Sequence, residues 1–226
     1  MGSWRWPSSS LLGSLTESAR RHLLTPGVTR QYRAGTVIIR EGDASTHVIV
    51  LLDGVVKATG VTLEGKEALL AIRVGGDLVG EFAAFDEGPR SSTVTTCGVV
   101  VGRIIRQTEF LAALGGDAAL DRAVNRSIVS KLRAANQRRV EFLSYDAPTR
   151  VARVLREIAV SYGDRSGNVI EIRWPLTQTE LASLATVAEP TVQKALRNLR
   201  EHAVITTGYR TLTIVDFAAL DRIAGG

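Results

Sequence analysis

The spacing of apolar positions along the 226 residues changes several times. Residues 1–10 show no period and read as a loose tail. Leu15, Ala19, Leu23 and Leu24 then recur at helical spacing, and Thr25-Pro26-Gly27 ends that segment. From Gln31 to Ile105 short runs rich in Val, Ile and Thr alternate with turns containing glycine: Arg33-Ala34-Gly35, Glu41-Gly42-Asp43, Asp53-Gly54, Glu64-Gly65-Lys66 and Gly75-Gly76-Asp77. Many short strands at such intervals predict a sandwich or barrel.

A long helix is predicted over residues 118–144. Val124, Ile128, Leu132, Asn136, Val140 and Leu143 fall nearly on one line, with polar residues filling the other faces. So narrow a stripe over so many turns predicts a partner helix, hence a parallel homodimer, rather than a helix packed only on its own domain. Tyr145 to Thr149 breaks the helix. Asp146 is placed to cap the next one, with Pro148 in its first turn. Val151, Val154, Leu155, Ile158 and Ala159 give that helix an apolar face up to Gly163. A loop through Asp164, Ser166, Gly167 and Asn168 follows, then a short strand alternating Ile170, Ile172 and Trp174.

Residues 176–200 carry the most specific local pattern. Thr177 and Glu180 form a capping box. Leu181, Ala182, Leu184 and Ala185 make a short helical face, Thr186-Val187 a turn, and Val192, Leu196 and Leu199 the inner face of a second helix. This is the packing of a helix-turn-helix. Val204–Thr206 and Leu212–Ile214 can pair as a wing around Gly208-Tyr209-Arg210. The outer face offers Glu189, Pro190, Thr191, Gln193, Lys194 and Arg197. Gln193 and Lys194 suit base edges in a major groove, while Arg197, Thr177 and Gln178 suit phosphates.

Composition adds little until it is split. The net charge is +5, with 12 Lys/Arg against 11 Asp/Glu in residues 1–116 and 16 against 12 in residues 117–226. The basic excess sits mainly in the C-terminal half; the asymmetry is mild and compatible with a polyanionic partner, so the case rests on the motifs. The apolar runs are too short to cross a bilayer, and the N-terminus has no apolar core of a signal peptide, so a cytoplasmic location with no membrane partner is expected. One cysteine, Cys97, and three scattered histidines provide no disulfide, iron-sulfur cluster or zinc site, and they do not sit at the positions expected for the axial ligands of a haem sensor of the family that the chain resembles below. Cys97 reads as a small buried strand residue. A β-roll enzyme of the cupin kind needs a His/Glu metal cluster on its strands, and only His47 is available there. No enzyme is therefore expected.

The chain resembles the cAMP receptor protein/fumarate-nitrate regulator (Crp/Fnr) superfamily over nearly its whole length. In the N-terminal half the resemblance rests on Gly35, Glu41-Gly42-Asp43, Gly54-Val55-Val56-Lys57, and the block from Gly75-Gly76-Asp77 through Gly80-Glu81-Phe82, Phe85 and Pro89 to Arg90-Ser91-Ser92-Thr93-Val94. That block resembles the family's phosphate-binding cassette. The resemblance implies an α+β architecture. A cyclic-nucleotide-binding β-roll (jelly roll) would occupy residues 1–116, a dimerisation helix residues 117–146, and a winged helix-turn-helix residues 147–226.

It also implies an effector, cAMP or a related cyclic nucleotide, held by Gly80, Glu81, Phe82, Arg90, Ser91 and Ser92. Arg90 would clamp the cyclic phosphate with Ser91 and cassette N–H groups, and Glu81 would accept from a ribose hydroxyl. Ala135 and Asn136 stand where cAMP-binding members carry a Thr-Ser or Thr-Asn pair for the base. Ala188-Glu189-Pro190-Thr191-Val192 stands where Ser-Arg-Glu-Thr-Val is usual, so the operator should differ from the family's usual one. Thr186 occupies the place of the turn glycine, which should strain the turn. The expected partners are double-stranded DNA with a palindromic site, a second copy of the chain, and RNA polymerase if the regulator activates. A regulator of the same fold with another effector, or none, is the alternative.

Overall fold

Strands form where β-branched runs meet corners that only a positive φ can turn. In the computed structural model, which describes residues 6–65, 67–172, 177–208 and 211–225, Gly54 has φ +89°, and a Cβ there would lie 2.5 Å from Val99 O. Contacts divide the chain into two units, Met1–Leu132 and Arg133–Gly226. The first begins with α1 (Leu11–Ser14) and α2 (Glu17–Leu24). It continues through β1 (Val28–Tyr32), β2 (Val37–Ile39), β3 (Val48–Asp53), β4 (Val55–Val61), β5 (Glu67–Val74), β6 (Leu78–Val79), α3 (Glu81–Asp86), β7 (Thr93–Thr96) and β8 (Val100–Ile105). Helices α4 (Gln107–Gly116) and α5 (Ala118–Ser144) follow. The strands form two antiparallel four-stranded sheets, in orders β1-β8-β3-β6 and β2-β7-β4-β5. Ile49, Leu51, Val56, Val79, Val94 and Val100 pack together as one of the roll's cores.

Residues 6–10 are not the loose tail that the sequence suggests. Trp6 Nε1 donates to Leu52 O at 2.9 Å, and the Arg20 guanidinium lies 5.0 Å over the indole ring. Ser10 is buried and caps α1, and Leu11 and Leu12 enter the roll's other core. Trp6, Leu11 and Leu12 are too few to show a period, yet each is large. Cys97 is buried as expected, one residue beyond β7.

The stripe on α5 is divided. Leu120, Ala123 and Val124 are buried in the roll's own core, with Ile128 at its edge, whereas Leu132, Val140 and Leu143 are 59%, 55% and 84% exposed. Val124 therefore belongs to the fold of its own unit and not to a seam with another helix. Among the described residues no helix is long and apolar enough to cross a membrane.

The second unit holds α6 (Ala147–Tyr162), β9 (Asp164–Ser166), β10 (Val169–Ile172), α7 (Gln178–Ala185), α8 (Glu189–Glu201), β11 (Ile205–Gly208), β12 (Thr211–Ile214) and α9 (Phe217–Ile223). Its sheet runs β11-β12-β10-β9. Asp146 caps α6 by accepting from Thr149 N at 2.9 Å. The segment expected as a loop after Gly163 instead contributes β9, because Gly167, at φ +62°, lets the chain fold back on β10. Trp174 and the wing-tip residues 209–210 lie outside the described residues. On either side of that tip, β11 and β12 pair as the expected wing.

Thr186 ends α7 at φ 53°, ψ 52°, the left-handed region that a β-branched residue rarely enters. The end is a Schellman arrangement, with Val187 N donating to Ala182 O at 3.0 Å and Thr186 N to Ser183 O at 3.2 Å. Those two bonds hold the threonine against its backbone preference. Replacing Thr186 by glycine is expected to raise the stability of this unit by about 1 kcal/mol. Thermal unfolding of the full chain checks this, and an unchanged or lower melting temperature would mean that the threonine side chain compensates its strain.

Candidate functional site

The first unit builds a cavity around the end of β6. Gly80 starts α3 at φ +83°, and a Cβ there would come within 2.8 Å of Arg90 Nη1 and 3.0 Å of His47 O, so only glycine fits. Glu81, Phe82 and Ala83 follow on α3. Arg90, Ser91 and Ser92 enter from the segment before β7, and Ala58 and Arg73 from β4 and β5. Lys131 reaches in from α5. The space is open to solvent. The six roll residues expected to hold an effector thus come together at one place. Ala135 and Asn136 lie exposed on α5, within the second unit.

Two buried charges dominate the cavity, and they do not pair with each other. Arg90 is only 3% exposed. Its Nη1 donates to Gly80 O at 2.8 Å, Nη2 to His47 O at 2.7 Å and Nε to Ser45 Oγ at 3.0 Å. Nη2 also lies 3.3 Å from His47 Nδ1. Burial, and then the Arg90 charge, hold the His47 imidazole below its ordinary range. A neutral ring with its proton on Nε2 lets Nδ1 accept from the guanidinium. Glu81, equally buried, pairs with Lys131: Nζ donates to Glu81 Oε1 and to Leu78 O, each at 2.7 Å. Burial pushes the Lys131 ammonium down, and the Glu81 charge opposes this. Burial also pushes the nearby Asp77 carboxyl up, although it accepts from Val74 N at 3.1 Å.

Sequence reasoning missed Ser45, His47, Arg73 and Lys131 as parts of this site. For Lys131 a signal exists: it lies in line with Leu120, Val124 and Ser127 on the face of α5 that packs against its own roll. A lysine in such a line needs a buried counter-charge.

The second unit presents the helix-turn-helix. Thr177 and Glu180 close the capping box, with Thr177 N donating to Glu180 Oε2 at 2.7 Å. Leu181, Ala182, Leu184 and Ala185 on α7 and Val192, Leu196 and Leu199 on α8 are buried, which presses the two helices together. Glu189, Pro190, Gln193, Lys194 and Arg197 are exposed on α8, Thr191 is half-buried, and Thr177 and Gln178 are exposed at the start of α7. Thr179, which sequence reasoning passed over, donates through Oγ1 to Glu189 Oε2 at 2.9 Å. The Glu189 carboxylate is therefore held toward α7 at the start of α8.

Comparison with known proteins agrees in both halves. Residues 29–117 match the family model of the cyclic nucleotide-binding domain, and residues 149–223 that of the Crp-like helix-turn-helix domain. The chain is 28% identical over 190 residues to a CRP-like cAMP-activated global transcriptional regulator of Mycobacterium tuberculosis, covering 84% of this chain and 85% of that protein. It is 28% identical over 198 residues to the cyclic AMP receptor protein of Thermus thermophilus, covering 87% and 88%. The structure of a CooA mutant from Carboxydothermus hydrogenoformans superposes with a TM-score of 0.75 at 18% identity, over 98% of each chain, which speaks to fold alone. With a cyclic nucleotide-binding domain ahead of a Crp-like helix-turn-helix, and with relatives that are themselves regulators, this chain belongs to the Crp/Fnr superfamily of transcription regulators.

Proposed function

We propose that the chain is a homodimeric, sequence-specific DNA-binding regulator whose roll takes a cyclic nucleotide as its effector. The observation that carries the effector reading is the meeting of Gly80, Glu81, Phe82, Arg90, Ser91 and Ser92 around one cavity. Arg90 Nη1 has a second N–H beyond the one given to Gly80 O, and Ser91 Oγ adds a donor, so a cyclic phosphate can be held by both. Glu81 Oε2 can accept from a ribose hydroxyl while Oε1 stays on Lys131. The cAMP-activated relative supports the same class of ligand. On this reading residues 1–116 sense, 117–146 dimerise and 147–226 bind DNA, with RNA polymerase as a further partner if the regulator activates.

Calorimetry of the full-length protein with cAMP and cGMP tests the effector. Binding is expected, and Arg90→Ala should weaken it by about one to two decades. Because that guanidinium also ties the roll together, Ser91→Ala is the cleaner variant, with an expected loss of roughly threefold to tenfold. No heat at millimolar nucleotide would leave the regulator with a different effector or none. For DNA, selection from random sequence should return an inverted repeat with half-sites about 34 Å apart. Arg197→Ala should weaken all sites alike and lower the salt slope by about one, whereas Lys194→Ala should relax preference at one position. Failure to enrich any sequence at low salt would sink the DNA reading.

A further inference from the structure

We propose that Arg73 reads the effector's base and gives the cavity a preference for guanine over adenine. This rests on the effector reading above and goes beyond it by naming which nucleotide fits.

Arg73 stands opposite Val56 in the β4–β5 register, with Ala58 two residues along on the same face. Ala58 and Arg73 both line the cavity. Around them the wall is apolar, formed by Ile39, Leu78, Val79 and Val94. Ala58 adds only a methyl group to that wall, and Arg73 brings it a charged, donor-only group. Among the described residues its one hydrogen bond runs from Nη1 to the carbonyl of its own neighbour Ile72, at 2.8 Å. Most of its donors are thus uncommitted, in contrast to Arg90.

The other polar groups of the cavity have natural roles. Arg90 and Ser91 suit a phosphate, and Glu81 suits a hydroxyl. What remains for Arg73 is a ligand part that presents acceptors. It is poorly suited to a second anion, because the Glu81 carboxyl lines the same cavity and the Asp77 carboxyl is near enough to interact with Arg73 electrostatically. Asp77 acts on both Arg73 and Lys131 electrostatically. A second negative charge would meet those carboxylates, whereas the neutral edge of a base would not. Guanine offers O6 and N7 side by side, the pair that an arginine fork matches bidentately. Adenine offers N7 beside an amino donor, so one arm of the fork would face N–H with N–H.

The test is calorimetry of the full-length protein with cGMP and cAMP, on wild type, Arg73→Leu and Arg73→Lys. Wild type is expected to bind cGMP at least about tenfold more tightly, the discrimination of one bidentate pair. Arg73→Leu should erase that difference by weakening cGMP and leaving cAMP within about twofold. Arg73→Lys, which keeps the charge without the fork, should erase it too, and it serves if the leucine variant does not fold. Equal affinities in wild type, a preference for cAMP, or an equal loss of both nucleotides in the variants would overturn the proposal while leaving a cyclic-nucleotide effector in place. Absence of binding by either nucleotide would instead remove the effector reading and this inference with it.

Discussion

Replacing Lys131 by methionine is expected to destabilise the N-terminal unit by about 3–5 kcal/mol, the cost of leaving one member of a buried pair without its counter-charge. Glu81 would keep a carboxylate with nearly all its surface removed from water and no cation at 2.7 Å. The double variant Lys131→Met, Glu81→Leu should recover most of the loss, since two apolar side chains of similar volume replace the pair. Urea unfolding of the full-length chain at neutral pH separates the outcomes. A single variant within 1 kcal/mol of wild type would show that water reaches Glu81 and that the pair contributes little. Recovery in the double variant, without recovery of nucleotide binding, would assign Glu81 to the ligand as well as to the fold.

Leu132→Asp is expected to convert the protein to a monomer. The side chain is 59% exposed on α5 and continues through Val140 and Leu143, a row of apolar residues facing water. A helix seam would cover them, and two aspartates on such a seam would be buried without compensation. Light scattering at micromolar concentration reads the mass directly. Affinity for an inverted repeat should fall by roughly 10²–10⁴, because each helix-turn-helix would then bind its half-site alone, without the effective concentration that its partner provides. A wild-type protein that is already monomeric, or a variant that stays dimeric, would sink the seam.

What was legible in the sequence was local. The glycine corners of the roll, the capping box at Thr177 and Glu180, the cap at Asp146 and the long period of α5 each follow from residues within a few positions of one another. The strain at Thr186 is anticipated from the resemblance, because this residue stands where the family carries its turn glycine. What escaped depends on pairs remote in sequence. Nothing near Ser45 or His47 announces that Arg90, more than forty residues on, will donate to them. Trp6 finds its acceptor at Leu52 only once β3 is in place. The stripe on α5 misled because one line of residues does not meet one surface: the roll buries Val124, with Leu120 a turn before it, and leaves Leu132, Val140 and Leu143 exposed. Helix α4 was overlooked although Phe110, Ala113 and Leu114 have helical spacing, because it is squeezed between a strand and a longer helix.

The acceptors that Ser45, His47 and Gly80 present to Arg90 alter what selection can act on. Segments near residues 43–47, the glycine at 80 and the chain at 90 all meet on this guanidinium, and backbone bonds from Gly42 N to Arg90 O and from Arg90 N to Asp43 O stitch the same junction. A lineage that ceased to use any effector would still leave those acceptors without their donor on losing this arginine, so selection on folding alone is expected to act on position 90.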